Sequence, residues 1–429
     1  MSKNKENVLT ENIKNENQKE RAVLIALDCG EYDAEVSINE LTELAQTSGA
    51  EVVSMVTQKR PSPDAGTYLG SGMLQEISEF CRTNEIDLII ADGELSPSQI
   101  RNIENFTNTR TIDRTTLILD IFAGRAQSSE GKLQVELAQL KYALPRLSGK
   151  GTSLSRLGGG IGTRGPGETK LETDRRHIRS RIQNLRAELD RVEKRRDALH
   201  KRRKKNGALC VAIVGYTNAG KSTLMNRLTN AGVLEEDKLF ATLDPTARKL
   251  TLPQGDQIML IDTVGLVRRL PHQLVDAFRS TLEEAVWADV ILNVCDASSE
   301  ECGEHIKVTM DLLKDLGCTD KPIINVLNKC DRAEDLYQFN FFENSVKISA
   351  RTGEGLNELL EAIEKALPQN RKRVNLLLPF DKLQLASVVR NGIVHSEEYR
   401  ADGLFFDATV EISDLKKLSG YILEQTCIK

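Results

Sequence analysis

Between residues 21 and 110 apolar residues come in short runs separated by stretches of helical spacing. Ala22–Leu27 and Glu51–Thr57 read as strands, and Asp87–Ala91 as a buried one. Ser37-Ile38-Asn39-Glu40 has capping-box spacing, so a helix is expected to open there and to close at Gly49. Gly72–Thr83 and Ser98–Phe106 are helical in pattern. Such alternation predicts a small α/β sheet over residues 21–112. From about Asp113 the pattern changes. Leu133, Leu137, Leu140 and Leu144 recur at helical spacing, and Ile178, Ile182, Leu185, Leu189, Val192 and Leu199 follow a 4–3–4–3 repeat with one gap, at Arg196. That is a coiled-coil seam, and two such helices joined by a loop predict an antiparallel hairpin over 113–205. Residues 206–368 carry strand-length apolar runs at Ala208–Val214, Gln257–Ile261 and Pro322–Leu327. The remainder, 371–429, reads β-α-β-β: Val374–Leu378, Lys382–Arg390, Ile393–Tyr399 and Leu404–Ile412. Residues 1–20, rich in Asn, Lys and Glu, are too polar to offset the entropy of ordering and read as a disordered tail.

Composition narrows the class. The 429 residues are 40% hydrophobic and 28% charged, an ordinary globular balance with room for several domains. No run approaches ~18 uncharged apolar residues, so no membrane insertion is expected. The first twenty residues have no apolar segment of signal-peptide type, and the eight cysteines form no C-x-x-C pair. Both point to a cytoplasmic protein without zinc or disulfides. The net charge of −5 is uneven: residues 175–205 hold fourteen Lys/Arg against four Asp/Glu, leaving the other 398 residues at −15. One basic segment on an acidic chain suggests a localised contact with a polyanion, the alternative being a solvated helix face.

The chemistry lies in loops that follow apolar strands. After Ala208–Val214 come Gly215, Tyr216, Thr217, Asn218, Ala219, Gly220, Lys221 and Ser222, then a helical stretch from Thr223. This is G-x-x-x-x-G-K-S in the strand–loop–helix context that a phosphate-binding loop requires. Its backbone amides and helix N-terminus suit a triphosphate, Lys221 the β- and γ-phosphates, and the Ser222 hydroxyl a Mg²⁺ ion. Asp262, Thr263, Val264 and Gly265 end the next apolar strand, placing a carboxylate to hold Mg²⁺ through water and a Gly265 amide for the γ-phosphate. Asn328, Lys329, Cys330 and Asp331 follow Pro322–Leu327. A carboxylate there accepts from the N1–H and 2-amino group of guanine, which adenine cannot supply. The Lys329 stem is placed to lie over the base. Ser349, Ala350 and Arg351 follow a further short strand and offer an amide to guanine O6. A threonine for the metal must lie between the first two loops, and both Thr242 and Thr246 are candidates. Three motifs in order, each at a strand's C-terminal end, predict a GTP site in an open parallel sheet.

The six glycines of 158–167 are followed by basic residues, so that Arg164, Lys170, Arg175 and Arg176 flank a loop whose backbone can approach phosphate closely. With Gly158–Arg176 (GGGIGTRGPGETKLETDRR), Glu130–Leu140 (EGKLQVELAQL) and Phe240-Ala241-Thr242-Leu243-Asp244, the chain resembles the HflX family over roughly residues 22–368. The resemblance implies an α/β fold: a P-loop GTPase domain, mainly parallel with helices on both faces, between a small α/β subdomain with a helical hairpin and a small α+β domain. It implies Thr242 as the second metal ligand with Ser222. It also implies a monomer that binds the large ribosomal subunit and its RNA, hydrolyses GTP, and splits or rescues stalled ribosomes under stress. A GTP-binding assembly or RNA-binding factor is the alternative. Gly70-Ser71-Gly72-Met73 departs from the family, whose members often carry lysine in this stretch, so no nucleotide contact is carried over there. Leu266 stands where Ras-like enzymes place a water-positioning glutamine, so hydrolysis is expected to be slow without a partner. Asn218 occupies the loop position at which some GTPases ligate K⁺, making Lys221, Thr242, Gly265 and Asn218 the expected catalytic set. Its other reading is a residue that only stabilises the turn.

Overall fold

The computed structural model describes residues 19–147, 170–205, 208–229, 240, 246–263, 265–268, 283–318, 320–333, 344–368, 371–390 and 392–425. Most of the expected tail, the glycine-rich loop with Arg164, the segment Ala241–Asp244 with Thr242, and Val264 lie outside these residues.

The first sheet has strand order β2-β1-β3-β4, all parallel, from β1 (Arg21–Asp28), β2 (Glu51–Lys59), β3 (Leu88–Ala91) and β4 (Arg110–Asp113). The six-residue apolar run at the centre of β1 is buried on both faces, as a central parallel strand requires. Helices α1 (Ala34–Thr47), α2 (Ser71–Thr83), α3 (Pro97–Thr107) and α4 (Arg114–Arg125) connect and cover the strands. α1 begins earlier than the serine pattern suggests. Asp33 caps it, accepting from the amides of Glu35 and Val36, and the Ser37 hydroxyl instead donates to buried Asp92 at 2.7 Å. An aspartate in extended conformation satisfies the first-turn amides as well as serine does, which frees Ser37 for tertiary contact. The section expected to open the hairpin at 113 opens with a helix of this sheet: Leu117, Ile118, Ile121 and Phe122 of α4 pack into the core of Leu24, Leu41 and Ile90.

The hairpin pairs α5 (Ser129–Arg146) with α6 (Lys170–Lys205). Leu137, Ile182 and Leu185 are buried at its seam, flanked by Leu133, Leu140, Leu144, Ile178 and Leu189. Arg181 pairs with Glu136 and Arg196 with Glu130, so numbers rise on one helix as they fall on the other, and the pair is antiparallel. The heptad reading fails beyond Leu189. Leu199 is 54% exposed, whereas Arg196 and His200 turn inward. α5 starts at Ser129, so α6 runs past its partner there, and an unpaired helix of 3.6 residues per turn drifts off a 3.5-residue seam.

The second sheet has order β10-β9-β8-β5-β7-β6, from β5 (Leu209–Gly215), β6 (Thr246–Thr251), β7 (Gln257–Asp262), β8 (Val290–Asp296), β9 (Ile323–Asn328) and β10 (Ser345–Lys347). All pairs are parallel except β6 with β7. Helices α7 (Lys221–Thr229), α8 (Cys302–Asp315) and α9 (Leu356–Ala366) belong to this part of the chain. The C-terminal sheet, order β12-β13-β11-β14, is antiparallel: β11 (Arg371–Leu378), β12 (Ile393–Arg400), β13 (Gly403–Glu411) and β14 (Ile422–Gln425). Its core joins Val374, Leu376, Phe406 and Ala408 to α10 (Ala386–Arg390) and α11 (Ile412–Leu418). Strand β14 adds a pairing that its four residues, following directly on a helix, did not announce.

Candidate functional site

The loops after β5, β7, β9 and β10 meet at the C-terminal edge of the second sheet. The first runs from Gly215 into α7, and Gly220 takes φ +89° where a Cβ would stand 2.3 Å from Asn328 Nδ2. Only glycine fits. Asn218 is left-handed at φ +59°, a conformation asparagine tolerates better than most side chains. Lys221 is 7% exposed, and its ammonium donates to the carbonyls of Gly215 (3.1 Å) and Tyr216 (2.7 Å). Burial pushes this ammonium down to about 8, with the Asp262 carboxylate pulling it back up. A cation held over loop carbonyls among amide donors is suited to an incoming polyanion.

The Asp262–Leu266 segment is zipped onto that loop. Thr263 donates from both amide and hydroxyl to Ile213 O, Leu266 N–H donates to Gly215 O at 3.1 Å, and Thr217 N–H donates to Leu266 O at 2.8 Å. At Gly265 a Cβ would come within 2.7 Å of Thr217 Cγ2 and 3.0 Å of Lys221 Nζ, so this position too excludes a side chain. Asp262 is fully buried, and its carboxylate accepts from the Ser222 hydroxyl at 3.1 Å. A hydroxyl and a carboxylate converging at a helix N-terminus are hard oxygen donors of the kind Mg²⁺ takes. The residues present fit that ion. Leu266 is buried on Tyr216 beside Leu312 and Leu316, so it faces apolar neighbours.

The other side of the site is organised by Asn328. Its Nδ2 donates to Ala219 O at 2.8 Å, and its Oδ1 accepts from Ala350 N–H at 2.9 Å. One side chain thus staples the first loop, the Asn328–Asp331 loop and the Ser349–Arg351 loop together. The Ala350 amide, a candidate for guanine O6, is here donated to that staple. Lys329 is left-handed, with its ammonium 2.7 Å from Asp296 Oδ2. Cys330 is half-buried, its thiol donating to Leu327 O. A hydrogen bond from the Ser349 hydroxyl lowers the Asp331 carboxyl below its ordinary value, so it is an acceptor at neutral pH. Of the residues expected at the site, Gly215–Thr223, Asp262, Thr263, Gly265, Asn328–Asp331 and Ser349–Arg351 are brought to this edge. Phe240 is buried against Phe122 of α4, ring centroids 4.5 Å apart. Arg175 and Arg176 lie in the first turns of α6.

Sequence reasoning missed a group of charged residues around the site. Glu40 and Arg114 of the first sheet's unit reach Tyr216 and Arg268, with Asp92 paired to Arg114, and Arg196 and His200 of α6 reach Glu283, Glu284 and Trp287. The gap at Arg196 in the heptad is the one signal the sequence carries. The others are charges on helices and in loops whose patterns look ordinary.

Against known proteins, residues 35–123 match a family described as GTP-binding GTPase N-terminal, 125–203 GTP-binding GTPase Middle Region, 210–329 50S ribosome-binding GTPase, and 337–421 the HflX C-terminal domain. The GTPase HflX of Caldanaerobacter subterraneus subsp. tengcongensis is 50% identical over 406 residues, covering 94% of each chain. That of Escherichia coli K12 is 42% identical over 373 residues, covering 86% of this chain and 88% of its own. A GTP-binding protein from Sulfolobus solfataricus, solved in complex with GDP, is 27% identical, covering 81% of this chain and 98% of its own at a TM-score of 0.44.

Proposed function

The chain belongs to the HflX family of GTPases, and from that premise we propose that it binds the large ribosomal subunit and its RNA. There it hydrolyses GTP to GDP and phosphate, splitting or rescuing stalled ribosomes under stress. It acts as a cytoplasmic monomer. The observation that carries the reading is the stapling of three loops by Asn328 at the sheet edge. Lys221 and the loop amides hold the phosphates. Ser222 and Thr242 would hold Mg²⁺, with Asp262 reaching it through water, and the bound ion would neutralise charge developing on the phosphates. Gly265 meets the γ-phosphate through its amide, Phe240–Asp244 carries the switch threonine, and Asp331 with Lys329 selects guanine. Leu266 carries no group that orients water, and its burial on Tyr216 supports a slow rate without a partner. Arg164, Lys170, Arg175 and Arg176 contact ribosomal RNA through phosphates. Asn218 would hold K⁺, which would supply positive charge that an arginine finger otherwise brings.

Phosphate release by the full chain with and without 50S subunits, beside sedimentation of ribosomes with GTP or a non-hydrolysable analogue, tests the reading. Stimulated release and a gain of free subunits are expected. Ribosome binding with no stimulation would leave the assembly-factor alternative, in which GTP is only a structural ligand.

A further inference from the structure

The segment that follows Gly265 is held from outside the nucleotide-binding sheet. Glu40, on α1 of the first sheet's unit, accepts from the Arg268 main-chain N–H at 3.2 Å and lies 3.4 Å from the Tyr216 hydroxyl, both on Oε1. Its Oε2 accepts from Arg114 at 2.9 Å. Arg114, 3% exposed, also donates to Arg268 O at 3.3 Å and to Asp92 at 2.9 Å. Both main-chain polar groups of Arg268 are therefore taken by one buried ion pair. The Arg268 side chain is tied at 3.0 Å to Glu301 and at 3.0 Å to Glu304, and the Tyr216 ring stacks on His305 at 3.9 Å. Burial, then the charge of Arg268, pushes the His305 imidazole down to about 4, so the stacked partner is neutral at physiological pH.

A buried ion pair is poor evidence for stability, because desolvation offsets most of its attraction. Its better-attested use is to specify one arrangement. Here the geometry is unusually informative. Arg114 would remain paired through Asp92 without Glu40, so the Glu40 carboxylate is not required to neutralise it. Glu40 Oε1 is instead spent on two groups of the nucleotide-binding part, Tyr216 in the phosphate loop and Arg268 three residues beyond Gly265. Since Leu266 is hydrogen-bonded to the phosphate loop in both directions, holding Arg268 adds a second anchor on the C-terminal side of Gly265.

We propose that Glu40 is a positioning residue for GTP hydrolysis: through Arg268 N–H and the Tyr216 hydroxyl it sets the Gly265 amide against the γ-phosphate. The inference rests on the reading of Gly265 given above. Only a nucleotide with a γ-phosphate uses that amide, so Glu40 governs triphosphate recognition and turnover and leaves diphosphate affinity alone.

Glu40→Gln, Tyr216→Phe and the double variant, each made in the full chain, test this by GDP affinity, affinity for a non-hydrolysable GTP analogue, kcat at saturating GTP, and thermal midpoint. For Glu40→Gln the expected result is GDP affinity within about twofold of wild type, with analogue affinity and kcat each down by about fivefold or more. Tyr216→Phe should give a smaller loss in the same two quantities, and the two losses should not multiply. Analogue and GDP affinities that fall together with the midpoint make Glu40 merely structural and overturn the proposal. So does unchanged kcat, or a kcat that rises, which would make the contact a restraint. Wild-type turnover in the same buffer reports separately on the GTPase reading.

Discussion

At the scale of single residues, the site separates groups proposed to touch nucleotide from groups that hold the loops. Asn328 donates to Ala219 O and accepts from Ala350 N–H, so it acts as a staple, whereas Asp331 keeps an ionised carboxylate at the rim. Replacing Asp331 by Asn turns an acceptor pair into one acceptor and one donor. GTP affinity in Asp331→Asn should fall about tenfold or more, while xanthosine triphosphate, which offers a carbonyl at that edge, should gain. Fluorescent-nucleotide titration checks both, and GTP affinity within about threefold of wild type would remove Asp331 from base recognition. Asn218 poses a sharper choice. Its φ of +59° alone accounts for an asparagine, so K⁺ ligation must be read from kinetics. Turnover faster in KCl than in NaCl of equal ionic strength, with the difference lost in Asn218→Ala, is expected. Equal rates leave the asparagine as a turn residue.

The hairpin is the element whose sequence pattern says most. Eight apolar positions face one another along α5 and α6, and Leu185 at their centre is fully buried. Leu185→Ala should destabilise the protein by roughly 2–5 kcal/mol through lost transfer energy and a residual cavity. A denaturant titration measures this, and GDP affinity should hold because no nucleotide-site residue packs on Leu185. A loss well under ~1 kcal/mol would mean that the seam does not bind the helices together. Past Leu189 a different principle governs. Arg196 bridges Glu130 of α5 and Glu283, and His200 stacks on Trp287 at 5.2 Å, so the helix changes partner and its inward positions become polar.

For the whole molecule the charge distribution matters more than any pair. Fourteen basic residues between 175 and 205 lie on one helix of a chain that is otherwise acidic, and Arg181 and Arg196 are already tied within the fold. Under the proposed function this basic segment is the surface that meets the polyanion. Replacing Arg164, Arg175 and Arg176 together by Ala should flatten the dependence of log K for ribosome binding on log salt by about 2 to 3 units, at ~0.7–0.9 per phosphate contact. Nucleotide affinity should not move. Pelleting that is unchanged at ~100–200 mM salt would reduce the basic segment to a solvated helix face.

Much of this architecture was legible because its signals are local. Strand-length apolar runs ending in Gly215–Ser222, Asp262–Gly265 and Asn328–Asp331 announce both a parallel sheet and the edge where its loops gather, since parallel strands place their C-terminal ends together. The hairpin seam was legible for the same reason: a repeat of heptads is a statement about one face of one helix. Ser37 misled because capping chemistry is shared by four residue types, and only the fold brings Asp92 to its hydroxyl. Glu40 read as part of a capping box, and Arg114 and Arg268 gave no signal at all. The three are separated by 74 and 154 positions, and nothing in a helical or strand period marks a charge that will be buried against another sheet. The sequence by itself determined the elements, the nucleotide motifs and their order. Which charges close over the phosphate loop was decided only by tertiary structure, because a buried ion pair depends on distance in space and on desolvation, neither of which exists along the chain.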